Sequence, residues 1–387
     1  MSLAPASAAF RRIRSVDILR GAIMVLMAID HVRVYSGIPA GGPEPGIFFT
    51  RWVTHFCAPG FVFFAGTSAF LYGRKVNNTN ALSRFLLTRG ILLVILELTL
   101  IRFCWTFNFD YAGFTLAGVI WMLGCCMVLM ALLVKLKPVT AGIAGVVIIA
   151  VQQVFSYVPQ LLPQSSREAF GRFWEFIYTS GLEGPQGITI LYVIVPWIGV
   201  MAAGYAFGMI LQMEPARRNK ICLRIGLSAI ALFLITGSII VLNKPASPDA
   251  PPFILRLLNQ NKYPASQLYL LMTLGPLIAL VPFAEKAKGW LAAALEVFGK
   301  VPMFYYLLHI PLIHISALVV NLIRTGSAHS EWYNTAPYVY FENENDRWGP
   351  GLLYLVFIIN VALLYFLCRW YAKYKAVNPG KRWLRYL

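Results

Sequence analysis

Charged residues are scarce in this 387-residue chain, where they make up 13% of the sequence, against about 25% in soluble domains. Hydrophobic residues reach 58%, and the mean hydropathy is +0.66. A water-soluble globule cannot bury so much apolar surface, because a single hydrophobic core stops growing beyond roughly 250–300 residues. The same composition excludes disordered, collagen-like and disulfide-rich chains. The alternating segments of about 10 residues that are typical of a membrane β-barrel are also missing.

Metal-binding patterns are missing as well. The six cysteines form no CxxC pair, and no HExxH or Cys/His metal spacing occurs, so the sequence predicts no metal site. The cysteines lie in or beside apolar runs, where small buried residues are expected.

What the chain has instead is a series of continuous apolar runs of about 20 residues, the length at which a helix crosses a hydrocarbon core of about 30 Å. We predict an all-α, polytopic membrane bundle of about ten spans, at 16–37, 52–73, 87–107, 114–134, 139–162, 187–212, 222–242, 266–284, 301–323 and 350–371. The chain is then a single transmembrane domain, 1–387. Residues 1–15 form a basic N-terminal segment, 16–371 the bundle and 372–387 a basic tail.

Lysine and arginine are distributed unevenly over the predicted loops. With the N-terminus on the inner side, 23 of the 33 Lys and Arg residues fall on that side and eight on the outer side. Because positive charge concentrates in cytoplasmic loops, we expect both termini to be cytoplasmic. The formal charge of +17 is then a consequence of topology and does not indicate nucleic-acid binding. The three long loops, 163–186, 243–265 and 324–349, are predicted to be external.

Ionisable side chains inside a bilayer cost roughly 2.5–3.5 kcal/mol each, so they mark candidate functional residues. A rise of about 1.5 Å per residue brings His31, His55 and His314 to similar depths in the outer half, with Asp30 beside His31. An imidazole next to a carboxylate is typical of a general base, because the carboxylate orients the ring and supports its charge. The alternative is structural, since a membrane histidine often only hydrogen-bonds a neighbouring helix.

A second polar group is expected at the inner face, at Asp17, Arg20, Arg74, Lys75, Arg84 and Arg89. Several arginines within reach of one another can bind phosphates through bidentate hydrogen bonds, as a nucleotide-like donor from the cytosol requires. The alternative is the ordinary cytoplasmic excess of positive charge in contact with anionic lipid.

Two segments resemble a known family. The first runs from Arg12 to Arg74 and contains SVDILRG at 15–21, Asp30-His31 and HFCAPGFVFFAGTSAFLYGR from His55; the second is GKVPMFYYLLHIPLIH at 299–314. They resemble bacterial membrane proteins grouped with the catalytic domain of heparan-α-glucosaminide N-acetyltransferase, within the wider transmembrane acyltransferases. The resemblance implies a bacterial inner-membrane enzyme. Such an enzyme transfers an acetyl group from cytosolic acetyl-CoA to a hydroxyl or amine acceptor, such as a sugar or glycan, on the far side of the membrane.

The acyltransferase hypothesis also assigns residue roles. His31 or His55 would be the general base, Asp30 would orient it, and His314 would assist the thioester carbonyl or the acceptor. The donor would contact Asp17, Arg20, Arg74, Lys75, Arg84, Arg89, Tyr306 and His309. The heparan enzyme is thought to use a histidine between its first two spans, whereas Val32–Thr54 contains none, so the resemblance does not choose between His31 and His55.

Other functions and partners stay open at this point. The expected partners are the lipid bilayer, acyl-CoA and a small sugar or glycan acceptor, without nucleic acid, and a homodimer is left open. The histidines could instead form the proton relay of a small-molecule transporter, although the internal repeat found in many transporters is not detectable. A non-catalytic membrane scaffold is the third reading.

Overall fold

The computed structural model describes residues 13–39, 45–178, 187–244 and 250–385, and every structural statement below refers to them. Helices account for most of this part of the chain. In chain order they are α1 Arg14–Tyr35, α2 Pro45–Trp52, α3 Cys57–Val76, α4 Thr79–Leu96, α5 Arg102–Thr106, α6 Val119–Leu133, α7 Pro138–Ala150, α8 Gln164–Trp174, α9 Trp197–Leu211, α10 Pro215–Asn243, α11 Phe253–Leu258, α12 Gln267–Ala279, α13 Val281–Lys286, α14 Trp290–Lys300, α15 Pro302–Thr325 and α16 Pro350–Val377.

Several short elements join these helices. A π-helical turn, Glu97–Ile101, connects α4 to α5, and two short strands, β1 Thr115–Ala117 and β2 Ile188–Ile190, pair in parallel. The 3₁₀ segments are Val53–Phe56, Gln152–Leu161, Ser330–Tyr333, Glu344–Asp346 and Arg382–Arg385.

Five helical segments are long and apolar enough to cross a membrane: Pro45–Val76, Pro215–Asn243, Gln267–Lys286, Pro302–Thr325 and Pro350–Val377. A sixth is added if Pro138–Ala150 and Gln152–Leu161, bent by 72° between them, form one span. The prediction of a helical, multi-pass membrane protein is thereby supported. The count of ten spans and the side on which the termini lie stay predictions.

The predicted spans 114–134 and 187–212 begin as strand and loop, and they become helical only at Val119 and Trp197. Thr115 and Ile188 are partners in the β1–β2 register. Non-helical backbone at membrane depth must find its hydrogen bonds within the protein, and the pairing of β1 with β2 provides them. An apolar run alone does not reveal this, because a buried strand and a buried helix look alike in hydropathy.

Helix α1 carries five charged residues, Arg14, Asp17, Arg20, Asp30 and Arg33, and it packs against α3, α14 and α15. Along α14 the two backbones touch. A Cβ atom added at Gly299 would collide with the carbonyl oxygen of Asp17. This contact brings the end of α14 level with the first turn of α1, so that α15 starts further along α1.

The same type of contact joins α3 to α9. A Cβ atom at Gly204 would collide with the carbonyl oxygen of Phe63, and one at Gly66 would collide with that of Met201. Small residues allow helix backbones to approach closely in membranes, where packing rather than the hydrophobic effect drives helix association. The close contact of α3 with α9 therefore leaves little room for a larger side chain at Gly66 or Gly204.

The aromatic loop between α15 and α16 covers the C-terminal end of α1. The backbone N–H of Trp348 donates to the carbonyl oxygen of Ser36 over 3.0 Å. The hydroxyl of Tyr333 donates to the backbone carbonyl oxygen of Tyr35 over 3.3 Å. Gly37 has a φ of 72° and faces the ring of Phe341, with which a Cβ atom would clash. The end of α1 that carries Asp30 and His31 is therefore held by this loop.

Candidate active site

Two histidines from distant parts of the chain meet between α1 and α15. Nδ1 of His31 on α1 lies 2.7 Å from Nε2 of His309 on α15, and the ring centroids are 4.8 Å apart. The hydroxyl of Tyr305 donates to the carbonyl oxygen of Met24 over 3.0 Å, which fixes the register of the two helices one to two turns below the pair. His309 is fully buried, whereas His31 is partly exposed.

The hydrogen-bond partners of His309 determine which nitrogen carries the proton in each of the two imidazole rings. Nδ1 of His309 lies 2.6 Å from the carbonyl oxygen of Tyr306 and 3.3 Å from that of Tyr305. A carbonyl oxygen only accepts hydrogen bonds, so this nitrogen carries the proton. In the neutral ring Nε2 is then an acceptor, and His31 must donate to it from Nδ1. Nε2 of a neutral His31 is left with a free lone pair, as a general base requires.

Asp30, the carboxylate expected to orient the base, is engaged elsewhere. Its Oδ1 accepts hydrogen bonds from Nη2 of Arg33 over 2.9 Å and from Nε over 3.2 Å, one turn along the same helix. Nη1 of Arg33 donates in turn to the carbonyl oxygen of Ile38 over 2.9 Å. The group that contacts Nδ1 of His31 is His309.

His55 lies beside α12, in the 3₁₀ turn that precedes α3. Its carbonyl oxygen accepts a hydrogen bond of 2.8 Å from the hydroxyl of Tyr269, and the two rings lie 5.4 Å apart. The side chain is 2% exposed. Neither of its ring nitrogens has a hydrogen-bond partner among the described residues, although both are buried.

A lysine joins this group from the loop between α11 and α12. The Nζ atom of Lys262 lies 5.9 Å from the ring centroid of Tyr192 and 5.2 Å from that of Tyr263. Its charge acts on Asp30, His31 and His55. Burial lowers the pKa of Lys262, but the neighbouring tyrosines and Asp30 raise it by more. The pKa of Lys262 is therefore above the ordinary value of a lysine. The amine is therefore protonated at neutral pH. We call Asp30, His31, His55, Lys262 and His309 the polar cluster.

His314 lies outside the polar cluster, in a box of aromatic rings. Its ring stacks on Phe107 with centroids 4.0 Å apart and lies 4.9 Å from the ring of Tyr35. Nδ1 is 3.3 Å from a carbonyl oxygen of α5. Trp105 contacts both Tyr35 and His31, so an aromatic layer separates His314 from the base that the sequence grouped it with.

Arg20 links α1 to α3 below the polar cluster. Its Nη2 donates to Oγ of Ser68 over 2.5 Å and to the carbonyl oxygen of Phe64 over 3.2 Å. Asp17, one turn earlier, is 4% exposed. Arg20 precedes His31 by eleven residues, which corresponds to about 16 Å along the helix.

The other basic residues lie where α3 ends and α4 begins. Arg74 and Lys75 occupy the last turn of α3, and Asn77, with a φ of 51°, reverses the chain into α4. The exposed residues are Arg74, Lys75 and Arg84, whereas Arg89 is half-buried with its guanidinium 5.9 Å from the ring centroid of Phe85. We call these four side chains, at the Arg20 end of α1, the basic rim.

Tyr306 supports the histidine pair through its backbone and lies 5.0 Å from the ring of His309. Its side chain is 5% exposed. Glu97, in the π turn, acts on Tyr306 electrostatically and accepts hydrogen bonds from the backbone of Gly118 and Ile120 at the start of α6. Tyr306 and His309, which are predicted from the sequence to contact the donor, therefore lie within the structure around His31.

Sequence reasoning missed Lys262, Arg33 as the partner of Asp30, and Trp105. The sequence does hold one indication of Lys262 as a site residue: the predicted outer loops contain few basic residues, and this one directly precedes Tyr263. The spacing of Asp30 and Arg33, three residues apart on one helix, is a sequence signal for their ion pair. The contacts of Trp105 depend on packing and left no sequence signal. No group of His, Cys, Asp or Glu within the described residues is arranged to hold a metal ion.

Comparison with known families gives one finding. The family described as heparan-alpha-glucosaminide N-acetyltransferase, catalytic, matches residues 12–241, which is more than half of the chain. His31, His55 and the basic rim fall within the match, whereas Lys262 and His309 lie beyond it. No curated protein matches the sequence.

Proposed function

The chain belongs to the heparan-alpha-glucosaminide N-acetyltransferase catalytic-domain family, and on this premise we propose that it is a membrane-bound acetyltransferase that uses acetyl-CoA. The acceptor is a hydroxyl or an amine, on a sugar or glycan that reaches the polar cluster from the side opposite the basic rim. The membrane is the bacterial plasma membrane, with the basic rim on its cytoplasmic face. The contact between His31 and His309 carries the proposal.

The separation of the basic rim from the polar cluster supports this direction of transfer. Arginines near Arg20 suit the phosphates of a CoA ester, because guanidinium groups bind phosphate through paired hydrogen bonds. Arg20 and His31 are about 16 Å apart along α1. An extended pantetheine arm covers a distance of this order, which would bring the thioester carbon near the imidazole.

In the proposed reaction Nε2 of His31 takes the proton from the acceptor O–H or N–H as that atom attacks the thioester carbonyl carbon. The C–S bond breaks, and the imidazolium returns the proton to the departing thiolate, so CoA leaves as the thiol. His309 supports the imidazolium by accepting the Nδ1–H hydrogen bond, as a carboxylate does in a catalytic triad. His55, with two free ring nitrogens, is suited to a hydrogen bond with the acceptor.

The experiment is acetyl-CoA turnover by the purified protein in lipid nanodiscs, measured as free CoA release with and without added monosaccharide acceptors. His31→Ala should lower turnover at least 100-fold, because positioned general acid–base catalysis contributes about 10²–10⁴-fold. His329→Ala is the matched control, since His329 lies in the outer loop, against Glu331. Equal turnover by the His31→Ala variant and the wild type would remove His31 from the mechanism.

One observation favours a second candidate, a proton-coupled transporter. The break between Pro138–Ala150 and Gln152–Leu161, with its bend of 72°, is of the type that transporters use at substrate sites. Substrate flux into proteoliposomes without an acyl donor would favour transport. Flux that requires acetyl-CoA, or no flux, would favour the acetyltransferase.

A further inference from the structure

The charges around His31 are mainly positive. Lys262 and Arg51 act on His55, and Lys262 and Arg33 act on His31. The carboxylate that acts on both histidines, within the described residues, is Asp30, and it is bound to Arg33 at 2.9 Å. The carboxylate of the described polar cluster is therefore already paired with a cation.

The other two buried carboxyl groups of the described helices cannot fill this role. Asp17 lies fourteen residues before His31 on the same helix, roughly 21 Å away. Glu97 is turned toward the backbone N–H groups of Gly118 and Ile120.

The position of Lys262 is built by the fold. Its Nζ atom lies over the rings of Tyr192 and Tyr263, and these two rings contact each other at 5.2 Å. A cation over aromatic rings is attracted to their faces. Lys262 is in none of the ion pairs of 4.0 Å or less found among the described residues. Its charge acts on both histidines, where that of Asp30 opposes it.

The two kinds of acceptor respond oppositely to this charge. An amine acceptor carries an ammonium fraction at neutral pH, and Lys262 and Arg51 repel that cation, whereas Asp30 is already paired with Arg33. A hydroxyl arrives neutral, and its oxygen gains negative charge as His31 removes the proton. A fixed cation stabilises charge that develops in this way during the reaction.

We infer that the acceptor nucleophile is a hydroxyl group, so that the protein makes acetyl esters, with Lys262 as the cation that selects the hydroxyl. The inference rests on the proposed acetyltransferase function and narrows its substrate class. In the balanced step the O–H proton passes to Nε2 of His31, the C–O bond forms and the C–S bond breaks. The proton then moves from His31 to the thiolate, and the products are an O-acetyl ester and CoA.

The test uses the full-length protein in its own membranes, so that the acceptor need not be known. Permeabilised membranes from cells that make the protein, and from cells that lack it, are incubated with acetyl-labelled acetyl-CoA and then freed of donor and protein. Alkaline hydroxylamine releases acetyl groups from oxygen esters as the hydroxamate and leaves amides intact. We expect at least nine-tenths of the protein-dependent label to be released. Label that resists hydroxylamine would overturn the inference while leaving the acetyltransferase proposal standing.

Absence of protein-dependent label, together with absence of acetyl-CoA binding, would instead refute the proposed function itself. A pair of purified acceptors, methyl glucoside and methyl glucosaminide, adds a test of the lysine. Wild type should prefer the glucoside, and Lys262→Glu should shift the ester-to-amide ratio at least tenfold toward amide, while Lys262→Arg keeps the wild-type ratio. Lys244→Glu, at an exposed position at the end of α10, is the matched control and should leave the ratio unchanged. An unchanged ratio in the Lys262→Glu variant would refute the selecting role of Lys262.

Discussion

Nδ1 of His31 and Nε2 of His309 are 2.7 Å apart, on two helices almost 280 residues apart in the chain. The contact fixes the orientation of the His31 ring and leaves its other nitrogen as the proton acceptor. It also extends to the carbonyl oxygen of Tyr306, 2.6 Å from Nδ1 of His309. A backbone carbonyl thus ends the chain of hydrogen bonds that a carboxylate ends in a catalytic triad.

His309 is therefore expected to act as a positioning residue. His309→Ala should lower kcat about 10–100-fold and leave the KM for acetyl-CoA within about twofold, because the ring of His31 loses its orientation but donor binding is untouched. His309→Gln should recover part of the loss, since its side-chain oxygen can accept the Nδ1–H bond. The measurement is steady-state turnover of the nanodisc-embedded protein. A raised KM with unchanged kcat would instead assign His309 to the donor, as predicted from the sequence.

Arg33 is expected to hold Asp30 in place. Its side chain is 9% exposed and that of Asp30 is 22% exposed, so Arg33→Met leaves a largely buried carboxylate without its partner. We expect a loss of roughly 1–3 kcal/mol in unfolding free energy, below the 3–5 kcal/mol of a fully buried pair because Asp30 retains some solvent. Thermal unfolding in detergent measures it. The double variant Arg33→Met with Asp30→Asn should recover part of the loss, whereas additive losses would show that the two residues do not interact.

The depths of the histidines show how far the sequence leads. Helix rise groups His31 with His55 and His314 at one depth and does not bring His309 into that group. In the structure α14 packs against the first turns of α1 through Gly299, so α15 starts beside Met24 and His309 reaches the level of His31. Hydropathy does not contain this offset, which depends on a backbone contact between two helices.

Helix bounds were predicted well where the apolar run is long and uninterrupted. The last two spans, predicted at 301–323 and 350–371, are helices Pro302–Thr325 and Pro350–Val377. The prediction 87–107 instead contains the π turn Glu97–Ile101. That turn faces the start of α6, where Glu97 satisfies backbone N–H groups. The sequence pattern of one segment does not show which backbone groups of another segment require a hydrogen-bond partner.

Helix packing between α3 and α9 gives a stability prediction. Gly204→Ala should lower the unfolding free energy by about 1–3 kcal/mol, because the added methyl group meets the backbone of Phe63 and overpacked cores lose stability by this amount. Gly171→Ala, in α8, is the matched control: a Cβ atom there meets nothing within 4 Å. That variant should gain stability, since alanine is favoured over glycine in helices by up to about 1 kcal/mol. Similar melting temperatures for the two variants would contradict the close packing of α3 on α9.

Donor binding is best tested at Arg20. Because Arg20 hydrogen-bonds Ser68, the effect of its charge can be tested separately from its role in packing α1 against α3. Arg20→Ala should raise the KM for acetyl-CoA at least tenfold and weaken the salt dependence of binding, since a guanidinium–phosphate contact contributes charge-assisted hydrogen bonds. Ser68→Ala removes the same interhelical hydrogen bond of 2.5 Å but keeps the guanidinium, so its KM should stay within about twofold of wild type. Dephospho-CoA derivatives, which lack one phosphate, should bind more weakly to wild type than acetyl-CoA does. Equal increases of KM in the Arg20→Ala and Ser68→Ala variants would mean that Arg20 holds α1 against α3 and does not bind the donor.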